Sequence, residues 1–272
     1  MPAMAWLKIL VIATATVYLA VTLLVWFAQE KLLFYPQRTT GRPAAPAGWQ
    51  IEDVRFKARD GTQLAGVLVK PPVARAPLVI YFGGNAEEVT AYAPLAAQTY
   101  GARAVLLVNY RGYGDSAGKP GERELVADSI EIHDWAVARP DVDAAHVALH
   151  GRSLGTGVAV QVAAARPPRC VILTSPFDSA RAVAQRIYPW LPVGLLIRHP
   201  FDSAALAPGL HMPALILMGS ADDVIPMSHS LHLASLWGAP AERVTFEGFG
   251  HNDISVNPKY DETIQGFLAR CA

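Results

Sequence analysis

Apolar positions along the chain fall into three patterns. The first is one unbroken run, Ile9 to Ala28, ILVIATATVYLAVTLLVWFA, interrupted only by three Thr and free of charge. Twenty residues at about 1.5 Å each span roughly 30 Å, the hydrocarbon thickness of a bilayer. The run is long for the apolar part of a signal peptide, and Trp26 before Ala28 makes a poor cleavage site. Trp6 and Trp26-Phe27 fall where interfacial aromatics belong. This predicts an uncleaved single-pass anchor over residues 1–28. Lys8 precedes the run and Lys31, Arg38 and Arg42 follow it, which leaves the side of the membrane undecided.

The second pattern is a series of short β-rich runs: VRFKAR, QLAGVLVK, LVIYF, AVLLVNY, HVALH, CVILTS, ALILMG and RVTFE. The third is helical, over residues 87–100, 122–138, 155–165, 228–237 and 258–269. From LVIYF onward most runs alternate with helices, and continuous apolar strands in that order predict a parallel sheet covered on both faces. Asp60-Gly61 between the first two runs is a hairpin signal, so the sheet should begin antiparallel. Residues 29–50, broken by Pro and Gly, read as a juxtamembrane linker, and 51–272 as one domain.

Composition narrows the function. Lys plus Arg and Asp plus Glu number 23 each, and this balance carries no electrostatic case for nucleic acid. Charged residues are 17% of the chain against roughly 25% usually, which implies a large core. Cys170 and Cys271 form no C-x-x-C pattern, and His229 and His232 on one helix face lack a clustered third ligand, so no metal is expected.

The chemistry centres on HVALH-GRSLG-TGVAVQVAAA, a strand, the turn Gly151-Arg152-Ser153-Leu154-Gly155, and a helix. A Ser on such a turn has strained backbone angles and an exposed hydroxyl, and the flanking glycines remove clashing Cβ atoms. A Ser hydroxyl needs a base, itself oriented by a carboxylate. Asp222 and Asp223 follow ALILMG and His251 follows RVTFE, in the chain order Ser, Asp, His. His133, His229 and His232 fall in predicted helices, and His146 and His150 in the strand before the turn. For the oxyanion, the amide of Leu154 follows the nucleophile, and Gly83-Gly84-Asn85-Ala86 follows LVIYF with room for close backbone approach. Gly112-Tyr113-Gly114-Asp115-Ser116-Ala117 matches the dinucleotide pattern G-x-G-x-x-A, but Gly118, Pro120 and Gly121 deny it the helix it must open.

With EKLLFYP, FGGNAEE, NYRGYGDSAGKPGE, LTSPFDSAR, YPWLPVGLLIRHPFDS, MGSADDVIP and FGHNDI added, the chain resembles the membrane-anchored subgroup of the α/β-hydrolases. That subgroup includes protein depalmitoylases and monoacylglycerol or lysophospholipid lipases. The resemblance implies an α/β-hydrolase fold, with a mostly parallel eight-stranded sheet, helices on both faces and a short helical cap, plus the N-terminal transmembrane helix. The family pattern Gly-x-x-Asp-x-apolar-apolar-Pro maps onto Gly219, Asp222, Val224, Ile225 and Pro226, which selects Asp222 over Asp223. Its usual His-Gly-Asn-Ala loop has Gly83 at the His position, which leaves the Asn85 amide in place.

Nearly forty residues, about 176–212, separate two strands and should lie over the site as the cap. Tyr188, Trp190, Leu191, Val193, Leu195, Leu196 and Ile197 would offer an acyl chain an apolar wall, with Trp190, Leu195 and Leu196 the expected substrate contacts. The expectation is a membrane-anchored serine hydrolase of carboxylic esters or thioesters, acting through Ser153, His251 and Asp222 without metal or organic cofactor. A peptidase of the same fold and a catalytically idle membrane-anchored binding protein are the alternatives. Oligomeric state is not legible.

Overall fold

The computed structural model describes residues 2–271. The chain runs through α1 (Pro2–Leu33), β1 (Gln50–Lys57), β2 (Gln63–Lys70), β3 (Ala76–Phe82), α2 (Ala96–Tyr100), β4 (Ala104–Val108), α3 (Glu122–Val137), β5 (Val142–Arg152) and α4 (Leu154–Ala165). It continues through β6 (Cys170–Thr174), α5 (Ala180–Ile187), α6 (Val193–Leu196), α7 (Ser203–Leu206), β7 (Ala214–Gly219), α8 (Met227–Leu236), β8 (Ala241–Phe246) and α9 (Tyr260–Arg270).

The eight strands form one sheet in the order β1-β2-β4-β3-β5-β6-β7-β8. The pairs β1–β2 and β2–β4 are antiparallel and the rest parallel. Gly61, at φ 90°, makes the β1–β2 turn in the left-handed region that suits glycine. Alternate residues of each strand enter opposite cores, as the two-residue period requires. Leu78, Ile80 and Phe82 of β3 join Leu125 of α3, Val158 of α4 and Leu233 of α8 on one face. Val79 and Tyr81 join Tyr100 of α2 and Ile264 and Phe267 of α9 on the other.

Two expectations change. Residues 87–100 are not one helix: a 3-10 turn, Val89–Leu95, holds Pro94 and precedes the short α2. Pro94 has no N–H to donate into an α-helical ladder. The segment after Ala28 is also no loose linker, because α1 runs on to Leu33 and Phe34 packs into the core at 3% exposure. The Gly114 amide donates to the carbonyl of Gln37 at 2.6 Å, strapping the segment to the domain. Within α1, Met4–Leu33 is long and apolar enough to cross a membrane, a length and composition that signal sequences share.

Candidate active site

Ser153 occupies the junction of β5 and α4 at φ 49°, ψ −118°, outside the ordinary basins for a side-chain-bearing residue. Its amide is held by the Thr174 carbonyl of the neighbouring strand at 2.9 Å. A Cβ at Gly151 would collide with the backbone of Gly155, and one at Gly155 with the backbone of Phe82. These two glycines therefore let the sharp turn pack against β3.

Above this turn the loops after β7 and β8 bring in the two other candidates. His251 Nε2 lies 2.8 Å from Ser153 Oγ, and His251 Nδ1 lies 2.8 Å from Asp222 Oδ2. An ionised carboxylate only accepts, so Nδ1 carries the proton and Nε2 accepts from the Ser153 hydroxyl. Asp222 is fixed through its other oxygen, which accepts from the amides of Val224 at 3.0 Å and Ile225 at 2.7 Å. Burial pushes the Asp222 carboxyl up, but hydrogen bonds from His251 and the Ile225 amide outweigh it and hold the group below its usual value. The neighbouring Asp223 is exposed.

Sequence reasoning missed the brace around these residues. Arg152 donates to the His251 carbonyl at 3.2 Å and to Glu87 Oε2 at 3.3 Å. Glu87 also accepts from the Gly84 amide at 2.6 Å and from the Tyr81 hydroxyl at 2.7 Å. One half-buried guanidinium thus ties the histidine loop to the loop after β3. Asn85, in that loop, accepts on Oδ1 from the Tyr35 amide at 2.9 Å, the Ala86 amide at 3.0 Å and the Tyr113 hydroxyl at 3.0 Å. Its Nδ2 donates to the Leu33 carbonyl at 2.6 Å. The variable position inside G-x-S-x-G and an acid two residues beyond Asn85 were visible in the sequence, but no spacing rule joins them.

A cavity of about 340 Å³ opens beside Ser153, Leu154 and Asn85. Its walls come from Phe177, α5, the cap residues Tyr188, Leu191, Val193, Leu196 and Ile197, and the α1 residues Val25, Trp26, Gln29, Leu32 and Leu33. Among the described residues, no charged side chain lines it. Of the three residues expected to contact substrate, Leu196 lines the cavity, whereas Trp190 and Leu195 do not and stand 53% and 89% exposed. Leu195 and Leu196 are neighbours in α6, so their side chains project about 100° apart around the helix and only Leu196 faces the cavity; Trp190 lies before α6. The contribution of α1 was not foreseen.

His229 and His232 do share one side of α8, where both bond Asp178, at 2.8 and 2.9 Å. Among the described residues no group of three or more His, Cys, Asp and Glu is arranged to hold a metal. Gly112–Ala117 closes on itself through the Gly112 amide and Ala117 carbonyl at 3.1 Å, and opens no helix.

The family described as serine aminopeptidase, S33, matches residues 74–197. The chain is 35% identical over 244 residues to the uncharacterized protein Rv2307c of Mycobacterium tuberculosis, covering 88% of this chain and 86% of that one. It is 33% identical over 166 residues to alpha/beta hydrolase domain-containing protein 17B of Xenopus laevis, covering 60% of this chain and 55% of that one. Among solved structures, the acetyl xylan esterase from Paenibacillus sp. R4 superposes with a TM-score of 0.71 at 20% identity, covering 91% of this chain and 93% of that one. That last likeness is one of fold.

Proposed function

The chain belongs to the α/β-hydrolase family and is a hydrolase, and we propose that it is a membrane-anchored serine hydrolase that cleaves acyl esters or thioesters through Ser153, His251 and Asp222. The observation that carries this reading is the chain of two 2.8 Å hydrogen bonds ending beside an uncharged cavity.

In the proposed reaction Ser153 Oγ attacks the acyl carbonyl while His251 Nε2 takes its proton, and Asp222 stabilises the imidazolium. The amides of Asn85 and Leu154 receive the developing oxyanion, since the Gly84 amide is already committed to Glu87. His251 returns the proton to the leaving oxygen or sulfur, and the Ser153 acyl ester forms. Water, deprotonated by His251, then releases the acid. The apolar walls, Leu196 among them, receive the acyl chain. A peptidase that selects a free amino terminus needs a carboxylate for the ammonium group, and the cavity lining supplies none. The α1 helix supplies the single-pass anchor.

The full-length protein in detergent should label with a fluorophosphonate and hydrolyse p-nitrophenyl esters, and Ser153→Ala should abolish both while remaining folded. Labelling retained in folded Ser153→Ala removes the nucleophile assignment.

A further inference from the structure

Between Arg186 and Arg198 the cap carries eleven residues without a charge, IYPWLPVGLLI. Ile187, Tyr188, Trp190 and Leu195 of this stretch are exposed, which is a high cost in water for so compact a patch. The stretch lies along α1. The Tyr18 hydroxyl donates to the Trp190 carbonyl at 3.0 Å, and the two rings meet edge to face at 6.5 Å. Gln29 donates to the Leu196 carbonyl at 3.2 Å and accepts from the Arg198 amide at 2.8 Å.

Depth follows from these contacts. Tyr18 is the tenth residue of the twenty-residue apolar run, so a bilayer filled by that run puts Tyr18 roughly 15 Å from either end of it. Trp190, bonded to Tyr18, then lies well below the headgroups. Arg198 sits 3.9 Å over the Trp26 ring and pairs with Glu30 at 3.4 Å, which sets a charged and aromatic group at the end of the run, where a membrane interface belongs.

Irregular backbone enters lipid only if its polar groups find partners within the protein. Here the carbonyls of Tyr188, Pro189 and Leu191 face the side-chain amide of Gln185, at 3.4, 3.4 and 3.2 Å. The Trp190 carbonyl has Tyr18, Pro192 has the Leu195 amide, Val193 has the Ile197 amide and Leu196 has Gln29. Pro189 and Pro192 bring no N–H at all.

We propose that residues 187–197 are inserted into the membrane leaflet beside α1, so that the cavity walled by both receives its substrate, a single-chain acyl amphiphile, directly from the acyl-chain region. The substrate clause rests on the hydrolase reading, and the insertion on the reading of α1 as the anchor.

Leu195→Cys, labelled with bimane in full-length protein reconstituted into phosphatidylcholine nanodiscs, tests the depth. Cys170 and Cys271 are buried, and Leu195 has no packing to lose. Emission should be blue-shifted and fall at least twofold with doxyl-phosphatidylcholine in the disc. A label at Val73→Cys, an exposed position before the amino end of β3, should remain open to aqueous iodide and unaffected by doxyl lipid. A Leu195 label quenched by iodide overturns the insertion. So does a blue-shifted label insensitive to doxyl lipid, which would mean that protein, such as a second copy of this chain, covers the patch. In the activity arm, Leu195→Asp should lower turnover of a bilayer-embedded lauroyl ester at least tenfold relative to a water-soluble acetate ester. An equal effect on both overturns entry from the leaflet, and absence of labelling and turnover in the unaltered protein overturns the hydrolase reading while the bimane result still decides depth.

Discussion

Asn85 Nδ2 donates a 2.6 Å hydrogen bond to the carbonyl of Leu33, the last residue of α1. A helix leaves its final carbonyls without intrahelical partners, so this bond caps α1 with a side chain from the loop assigned to the oxyanion. The same Asn85 accepts from Tyr35 and Tyr113, and the loop position therefore depends on where α1 ends. Asn85→Ala keeps the backbone amide but frees the loop, and should lower kcat at least about tenfold with KM nearly unchanged. Steady-state kinetics on one soluble ester decides it; unchanged kcat would detach α1 from loop positioning.

The two adjacent acids after β7 separate cleanly. Asp222 Oδ2 holds His251, whereas Asp223 is exposed. Asp222→Asn should lose at least about a hundredfold in turnover through the wrong imidazole tautomer, and Asp223→Asn less than about tenfold. Parallel assays on one chromogenic ester would expose the reverse order at once.

His150 gives a stability signature independent of catalysis. It is enclosed between the Tyr100 hydroxyl at 2.7 Å and the Thr174 hydroxyl at 3.0 Å, and burial pushes its pKa from 6.5 down to about 3. Between those values the unfolded chain binds a proton that the folded chain refuses. Folding stability should therefore fall as pH drops through this window, with a slope from this residue of at most about 1.4 kcal/mol per unit. Denaturant melts of wild type and His150→Asn from pH 7 to 4 should show the steeper loss in wild type. Parallel curves would mean that His150 contributes nothing to the slope.

Arg111 forms a two-pronged pair with Asp128, at 2.6 and 2.7 Å, with both side chains largely buried. Removing only Asp128 leaves the guanidinium with Asp60 and Thr62 alone, so Asp128→Ala should cost at most about 3–5 kcal/mol. Arg111→Met with Asp128→Leu should cost much less than the two single changes added. Equal costs in a double-mutant cycle would show the pair to be uncoupled.

The linear sequence determined what depends on local order and period. Eight apolar runs set the sheet, Gly151 and Gly155 marked the turn at Ser153, and chain order placed Asp222 and His251 in loops after β7 and β8. Strand periodicity is two residues and a turn is four or five, so such features are written in neighbouring positions. Only the tertiary structure decided how distant segments meet. The Arg152–Glu87 brace joins residues 65 apart, the Tyr18–Trp190 contact residues 172 apart, and the Asn85 cap on Leu33 residues 52 apart. Trp190 and Leu195 shared an apolar pattern with Leu196, yet only Leu196 lines the cavity while the other two stand exposed. An apolar side chain is equally at home in a core, a cavity wall or a lipid-facing surface, because the hydrophobic effect has no direction; which of these it meets is fixed by the backbone's path in space.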